Sequence, residues 1–316
     1  MNSVLNRPRK PLPPVHASAG IESEYRRRLD VLIAEMHNSV VYWLTAGYRA
    51  NPPLLAQDGP TEDAAAWTEW VAATRMLSPP LIAQDDTPVQ ALRKIMAALA
   101  KRWQNRFDDL SFEMAGYFAT DVHKRVDGAL SAMLAKHGMA IRFRMTRTMH
   151  QALAATVGEN VALIRSIPQK FFTDIEAQVM RSAAAGRDLK TLTDFLGPKV
   201  DLKRIRMGQR PGESGKSYLV RTWRRAALIS RDQNNKATAV MIRTRQADLG
   251  ITEAIWMHSG GGHEPRPDHV AWGRQKKRYD VAKGMWSDVE QRWIYPGELI
   301  NCRCVSRSII PGLPVR

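Results

Sequence analysis

The most informative part of the chain reads AIWMHSGGGHEPRPDHVAWG at residues 254–273 and ELINCRCVSRSII at residues 298–310. Short runs rich in apolar and β-branched residues alternate here with glycine and proline turns, a pattern typical of short strands. We expect strands at Ile251–His258, Trp286–Tyr295 and Ile300–Ile310. This part of the chain therefore predicts an α+β domain that contains a small antiparallel sheet.

The sequence before this region has helical spacing, with apolar residues recurring three or four positions apart. The expected helices span about residues 21–50, 88–126, 146–166, 168–185 and 218–249, with a shorter helix near Trp67 and Trp70. Pro168 is placed at the start of its helix because proline is favoured in the first turn. The fold class predicted is a mainly α N-terminal region followed by the C-terminal α+β domain.

Composition divides the chain into three regions. Residues 1–20 form a Pro/Arg-rich sequence that predicts an extended arm, since proline fixes φ and removes a hydrogen-bond donor. Residues 21–198 are predicted to be a helical region, and residues 199–316 a basic α+β domain. The boundary is expected within residues 186–217, where glycine and proline break the helical pattern.

Positive charge is concentrated in the last third of the chain. The whole sequence has 47 Lys+Arg and 31 Asp+Glu, a formal net charge of +16. Residues 199–316 hold 23 basic and 11 acidic residues, a net +12, whereas residues 1–198 hold 24 and 20, a net +4. This asymmetry favours an anionic partner, either nucleic acid or an acidic protein surface, although improved solubility is a simpler reason for the charge.

Several classes of protein are excluded by the same composition. No run approaches the roughly 18–20 apolar residues that a membrane helix needs, so we expect no membrane partner. Two cysteines cannot form a disulfide framework, and Met1–Gly20 lacks the apolar core of a secretory signal. No phosphate-binding loop, dinucleotide fingerprint or G-x-S-x-G nucleophile motif is present.

Cysteine and histidine residues occur together in the C-terminal region. Cys302 and Cys304 are two positions apart on a predicted strand, so their side chains should point to one face and that of Arg303 to the other. Histidines 258, 263 and 269 lie on the neighbouring strand and loop. Two thiolates and one or two imidazoles suit a tetrahedral zinc ion, which is the one cofactor that the sequence suggests. Alternatively, both cysteines are buried as small apolar side chains.

Basic residues in two places are candidates for contact with nucleic acid. The first group lies on the predicted helix 218–249 and comprises Arg221, Arg224, Arg225 and Arg231. The second follows Gly273 and comprises Arg274, Lys276, Lys277 and Arg278. If these residues are exposed along one side, they would bind phosphate non-specifically. Alternatively, they form a solvated surface or pair with an acidic partner surface.

The order of motifs resembles the Mu F-like phage head-morphogenesis (minor head protein) family over about residues 215–310. The residues that carry this resemblance are Trp256, Arg266, Asp268, His269, Gly273, Pro296, Asn301, Cys302, Arg303 and Cys304, after a helix with Arg224, Arg231 and Asn234. This resemblance implies that the chain is a non-enzymatic minor head protein of a tailed double-stranded DNA phage. Such a protein would assemble with the portal protein and with the major capsid or scaffolding protein in the host cytoplasm. In the virion it would lie in the head interior or at the portal, near double-stranded DNA.

The alternative is a metal-dependent nuclease or toxin-like enzyme that acts on nucleic acid. Asp268-His269 followed by Asn301 resembles part of the histidine–asparagine–histidine nuclease motif. In that motif a histidine base and a metal ion promote the attack of water on phosphate. A further histidine or asparagine should follow Asn301, and the sequence to Arg316 contains neither. In the simpler interpretation Asp268 caps a short helix and His269 packs beside it.

Overall fold

The computed structural model describes residues 12–50, 88–184, 189–209, 217–260 and 264–310. These residues are mainly α-helical, with short antiparallel strands near the C-terminus, and this confirms the predicted fold class. The short helix predicted near Trp67 and Trp70 lies outside the described residues. Among the residues described, no helix is long and apolar enough to span a membrane.

Long helices account for most of the described chain. In chain order the helices are α1 (Ala19–Ala50), α2 (Pro88–Lys136), α3 (Arg147–Ala184), α4 (Leu189–Leu196), α5 (Leu202–Arg206), α6 (Tyr218–Asp248) and α7 (Pro267–Arg274). The strands are β1 (Glu253–Met257), β2 (Arg278–Asp280), β3 (Met285–Ser287), β4 (Arg292–Ile294) and β5 (Val305–Ile309). Helix α7 lies between β1 and β2 in sequence.

The five strands form two antiparallel sheets. Strand β1 is central in the first, in the order β2-β1-β5, and pairs Ala254 with Tyr279 and Trp256 with Ser306. Strands β3 and β4 form a separate two-stranded sheet in which Trp286 pairs with Trp293. Trp256, Trp272 and Tyr279 belong to a buried cluster that also contains Cys302 and Cys304. The cysteines are therefore part of the core around the sheet.

The chain divides into two compact units that are not continuous in sequence. One comprises Met1–Tyr25, Phe112–Asn160 and Leu228–Arg316, and it contains both sheets. The other comprises Arg26–Ser111 and Val161–Ala227. In this second unit, the buried Tyr218 hydroxyl lies 2.9 Å from His37 Nδ1 and 3.0 Å from the Leu196 carbonyl oxygen. The division of the chain into regions 21–198 and 199–316 stays a prediction. The two compact units begin and end at other residues.

Helix α3 corrects the prediction of two helices separated at Pro168. One helix runs from Arg147 to Ala184 with Pro168 in its interior. Proline lacks an N–H and its ring disturbs the preceding turn, so nearby carbonyl oxygens need other partners. The Gln104 side chain donates a hydrogen bond to the Arg165 carbonyl at 3.3 Å. Burial of Ile164, Ile167 and Phe171 on both sides of the proline favours a continuous helix.

The strand predictions were partly wrong. Trp286–Tyr295 is two short strands with a turn rather than one strand, and β2 was not predicted at all. The last strand begins at Val305, so Cys302 and Cys304 precede it in a loop. Asn301 has a φ of 60°, which is left-handed backbone and incompatible with a strand continuing through it.

The described part of the predicted N-terminal arm packs on its own chain. Residues 12–18 have no helix or strand, as an extended arm requires, but Leu12 and Val15 are buried. Arg307 Nε of β5 donates a hydrogen bond to the Leu12 carbonyl oxygen at 3.1 Å. Asn234 Nδ2 on α6 donates to the Ser18 carbonyl oxygen at 2.9 Å. Residues 12–18 are therefore an integral part of the unit that contains the sheets.

Candidate metal centre

His269, Cys302 and Cys304 form a buried cluster of potential metal ligands. His269 Nδ1 lies 3.6 Å from Cys302 Sγ and 3.6 Å from Cys304 Sγ. The three ligand atoms all lie within 4.8 Å of one another, and both cysteines are free of disulfide bonds. The predicted proximity of His269 to both sulfurs is confirmed. Arg303, between the cysteines, is exposed, as the predicted alternation requires.

The two thiols of this cluster differ in acidity. The Cys304 thiol donates a hydrogen bond that stabilises the Cys302 thiolate, and this lowers the pKa of Cys302, with His269 contributing in the same direction. The same hydrogen bond and burial raise the pKa of Cys304. The backbone amides of Cys304 and Ser259 favour the thiolate forms of Cys302 and Cys304 respectively. The protein therefore supports negative charge on sulfur in a site that excludes most solvent.

Aromatic rings orient the His269 imidazole. Trp272, one helical turn further along α7, stacks on the imidazole with 5.7 Å between centroids, and Trp256 of β1 meets it edge-on at 4.9 Å. His269 is 3% exposed, and its Nε2 has no hydrogen-bond partner among the described residues. Packing, rather than the carboxylate that commonly holds a metal-binding histidine, therefore directs Nδ1 towards the sulfurs.

Asp268 anchors the first turn of α7. Its Oδ1 accepts a hydrogen bond from the His269 amide at 2.9 Å, and its Oδ2 accepts one from the Ser287 hydroxyl of β3 at 2.6 Å. A carboxylate is also favourable near a helix N-terminus. Arg266, just before the helix, donates to Glu290 Oε1 at 3.2 Å and to the Ile300 carbonyl oxygen at 3.3 Å. These motif residues thus connect α7 to the β3–β4 sheet and to the loop that carries the cysteines.

Gly273 allows α7 to approach the end of β1. A Cβ atom at this position would overlap His258 Cβ and lie 2.9 Å from the His258 backbone nitrogen. Only glycine permits so close an approach between a helix and a neighbouring backbone. The glycine in the motif is therefore explained by packing beside the metal-ligand cluster.

Replacement of Gly273 by alanine should lower the free energy of unfolding by about 1–3 kcal/mol, because the added methyl group meets backbone that cannot move independently. Urea unfolding followed by circular dichroism would measure the change. Gly158→Ala is the matched control, since a Cβ there meets nothing within 4 Å. An equal effect of both substitutions would show that the contact with His258 is unimportant.

Helix α6 holds the loop that contains the cysteines. The Asn301 amide donates to Asp232 Oδ1 at 2.7 Å, and Arg231 Nη2 donates to Asn301 Oδ1 at 3.0 Å. Asparagine tolerates the left-handed conformation that Asn301 adopts. Gly297, after Pro296, has a φ of 83°, and a Cβ there would lie 2.8 Å from Ala239 Cβ on α6. The loop consequently needs both its asparagine and its glycine.

A polar cavity of about 490 Å³ opens beside the cluster. Besides the three ligand residues, its lining includes His258, Glu264, Arg266 and Arg303. His258 Nδ1 accepts a hydrogen bond from the Gly260 amide at 3.1 Å, and His258 is not part of the close group of ligand atoms. His263, the remaining predicted ligand, lies outside the described residues.

The two predicted nucleic-acid-binding groups differ in their environment. On α6, Arg221 pairs with Asp174 at 3.4 Å, Arg225 donates to Ser166 at 2.8 Å, and Arg231 donates to Asn301. Arg221 and Arg224 are exposed, whereas Arg225 and Arg231 are half-buried. The second group, Arg274, Lys276, Lys277 and Arg278, is exposed throughout, with one weak pair between Arg278 and Glu253 at 3.9 Å. The second group is therefore the better placed for an anionic partner.

Sequence reasoning missed several residues that support the cluster. Asp232, Ser287 and Trp272 were not singled out, although each holds a motif residue in place. The spacing of His269 and Trp272, three positions apart on a helix, is the one local signal that could have indicated a contact. No family model, curated protein or solved structure matches the chain.

Proposed function

We propose that this protein is a non-enzymatic minor head protein of a tailed double-stranded DNA phage, acting in head assembly at the portal. The observation that carries the proposal is the convergence of the motif residues. Three parts of the motif contact one another in a single cluster: Arg231 of α6, the segment Arg266–His269 and the loop with Asn301 and Cys302. Such mutual support favours a common structural element over a chance similarity of short motifs.

Association with the portal tests this proposal directly. The portal protein encoded in the same genome would be purified as rings and sedimented with the full chain, in the presence and absence of nuclease. We expect co-sedimentation that survives nuclease treatment, because a protein surface rather than DNA forms the contact. Sedimentation with DNA alone, and none with portal rings, would contradict an assembly role.

Non-specific binding to packaged DNA is the second part of the proposal. The net charge of +16 favours phosphate, and Arg274, Lys276, Lys277 and Arg278 expose four cations within five residues. Binding of this kind releases counterions, so affinity should fall steeply with salt and depend little on base sequence. A protein of this charge would be retained near concentrated DNA inside a phage head.

Replacement of Arg274, Lys276, Lys277 and Arg278 by glutamine should reduce the slope of log K against log salt by up to about 3.6, which is four times 0.9. Fluorescence anisotropy with a DNA duplex at several salt concentrations would measure it. The matched control replaces four exposed basic residues elsewhere, Arg93, Lys94, Lys124 and Arg125, with the same change in charge. Equal reductions of the slope in both variants would show that DNA affinity depends on the net charge of the protein and not on this surface.

A metal-dependent nuclease is the second candidate function, and the cavity beside the cluster is the observation that favours it. Arg266 and Arg303 line this cavity, where they could contact a phosphate. The environment of His269 argues against the histidine–asparagine–histidine mechanism, because its Nδ1 faces two sulfurs and the ring is buried. Cleavage of plasmid DNA that requires divalent metal, and stops with chelator, would establish this alternative and overturn the non-enzymatic proposal.

A further inference from the structure

The two nitrogen–sulfur distances in the His269–Cys302–Cys304 cluster match those of a zinc coordination sphere. Zinc binds sulfur at about 2.3 Å and imidazole nitrogen at about 2.0–2.1 Å, so tetrahedral angles place nitrogen and sulfur about 3.6 Å apart. His269 Nδ1 lies 3.6 Å from both sulfurs. An Nδ1–H group could point at only one of them, whereas an ion between the three atoms accounts for both distances at once.

Burial of the two sulfurs favours a bound cation over free thiolates. The cluster is buried, and burial of uncompensated negative charge is costly unless a cation neutralises it. Arg303 is exposed and Arg266 is half-buried where they line the adjacent cavity, so neither arginine is buried with the sulfurs. A divalent ion between the sulfurs would neutralise negative charge within the core.

We propose that His269 Nδ1, Cys302 Sγ and Cys304 Sγ bind one zinc ion, which fastens the N-C-R-C loop to α7. Two thiolates and one imidazole are a soft donor set that selects zinc over magnesium or calcium. Among the described residues, no fourth histidine, cysteine or carboxylate belongs to the group, and the three ligand residues line the adjacent cavity. The inference stands independently of the role in phage assembly.

Zinc content of the purified full chain is the first test. We expect one zinc ion per chain after expression in zinc-supplemented medium and dialysis, and loss of that zinc in Cys302→Ser, Cys304→Ser and His269→Asn. His258→Asn is the matched control, because His258 lines the same cavity without belonging to the cluster. It should retain the zinc. Loss of zinc from this variant would overturn the assignment of the protein ligands to His269, Cys302 and Cys304 alone.

A second measurement uses the unmodified chain and does not depend on the folding of variants. Zinc would be removed with a chelator under reducing conditions, and the thermal midpoint would be recorded before and after zinc alone is added back. We expect the midpoint to rise on addition of zinc, since an ion that binds only the folded state stabilises it. Cobalt in place of zinc should give the visible absorption of a tetrahedral thiolate site. A folded, zinc-free protein whose midpoint does not respond to zinc would overturn the proposal.

Discussion

Replacement of Arg245 by methionine is expected to lower the free energy of unfolding by about 3–5 kcal/mol, because it removes several charge-assisted hydrogen bonds of a buried guanidinium. Arg245 is 1% exposed. Its Nε and Nη2 donate to the two oxygens of Asp127 at 2.8 and 2.7 Å, and Nη1 donates to Asp248 at 3.0 Å. Nη1 also donates to the Arg144 carbonyl oxygen at 2.9 Å. Urea denaturation monitored by circular dichroism would measure the loss.

A double-mutant cycle separates the ion pair from the lost packing. Asp127→Asn removes the charge that Arg245 neutralises, so the double variant should be destabilised by less than the sum of the two single effects. Arg243→Met is the control, since that side chain is half-buried, lies over the Tyr295 ring at 3.9 Å and forms no ion pair with any residue that the structure describes. Strictly additive effects at Arg245 and Asp127 would contradict a coupled pair.

Replacement of Trp256 by alanine should cost about 3–5 kcal/mol, because it leaves a large cavity in the core around the first sheet. Trp256 is 0% exposed and meets the rings of Trp272 at 4.8 Å and His269 at 4.9 Å. Loss of these contacts should also loosen the orientation of His269 and expose the two cysteines. Urea denaturation would measure stability, and the rate of thiol modification in native buffer would measure access to Cys302 and Cys304.

Trp286 provides a matched control for Trp256. It is 43% exposed and pairs across the β3–β4 sheet with Trp293, edge-on at 5.9 Å. Trp286→Ala should cost no more than about 1.5 kcal/mol, the usual value of an aromatic pair. It should leave the cysteines as slow to react as in the unmodified protein. Fast thiol modification in Trp286→Ala but not in Trp256→Ala would reverse the roles assigned to the two rings.

The helices, and the side to which Cys302 and Cys304 point, could be predicted from sequence because both depend on local patterns. Apolar residues three or four positions apart identified α1 and α6 almost to their ends, whereas α2 continues to Lys136, ten residues beyond the predicted end at residue 126. Alternation along an extended backbone placed Cys302 and Cys304 on the buried side and Arg303 outside. That alternation of buried and exposed residues holds although these residues lie in a loop and not in a strand.

Pro168 and the cysteine loop show where local pattern was insufficient. Proline usually begins a helix or ends one, and the expectation of two helices followed that preference. The buried apolar residues around Pro168 and the hydrogen bond from Gln104 stabilise a continuous helix instead. Likewise, β-propensity predicted a strand through Asn301, whereas bonds to Arg231 and Asp232 hold that residue in a left-handed turn.

The sequence by itself determined the helical periodicity, the concentration of positive charge and the grouping of cysteine with histidine. Only the tertiary structure decided which charges meet. Arg245 and Asp127 are 118 positions apart, and Asn301 and Asp232 are 69 apart. The chain offers 31 acidic residues, and periodicity contains no information about which of them a given arginine will reach. Long-range packing of apolar faces brings such residues together, and burial of the Arg245 guanidinium is tolerated because Asp127 and Asp248 neutralise it.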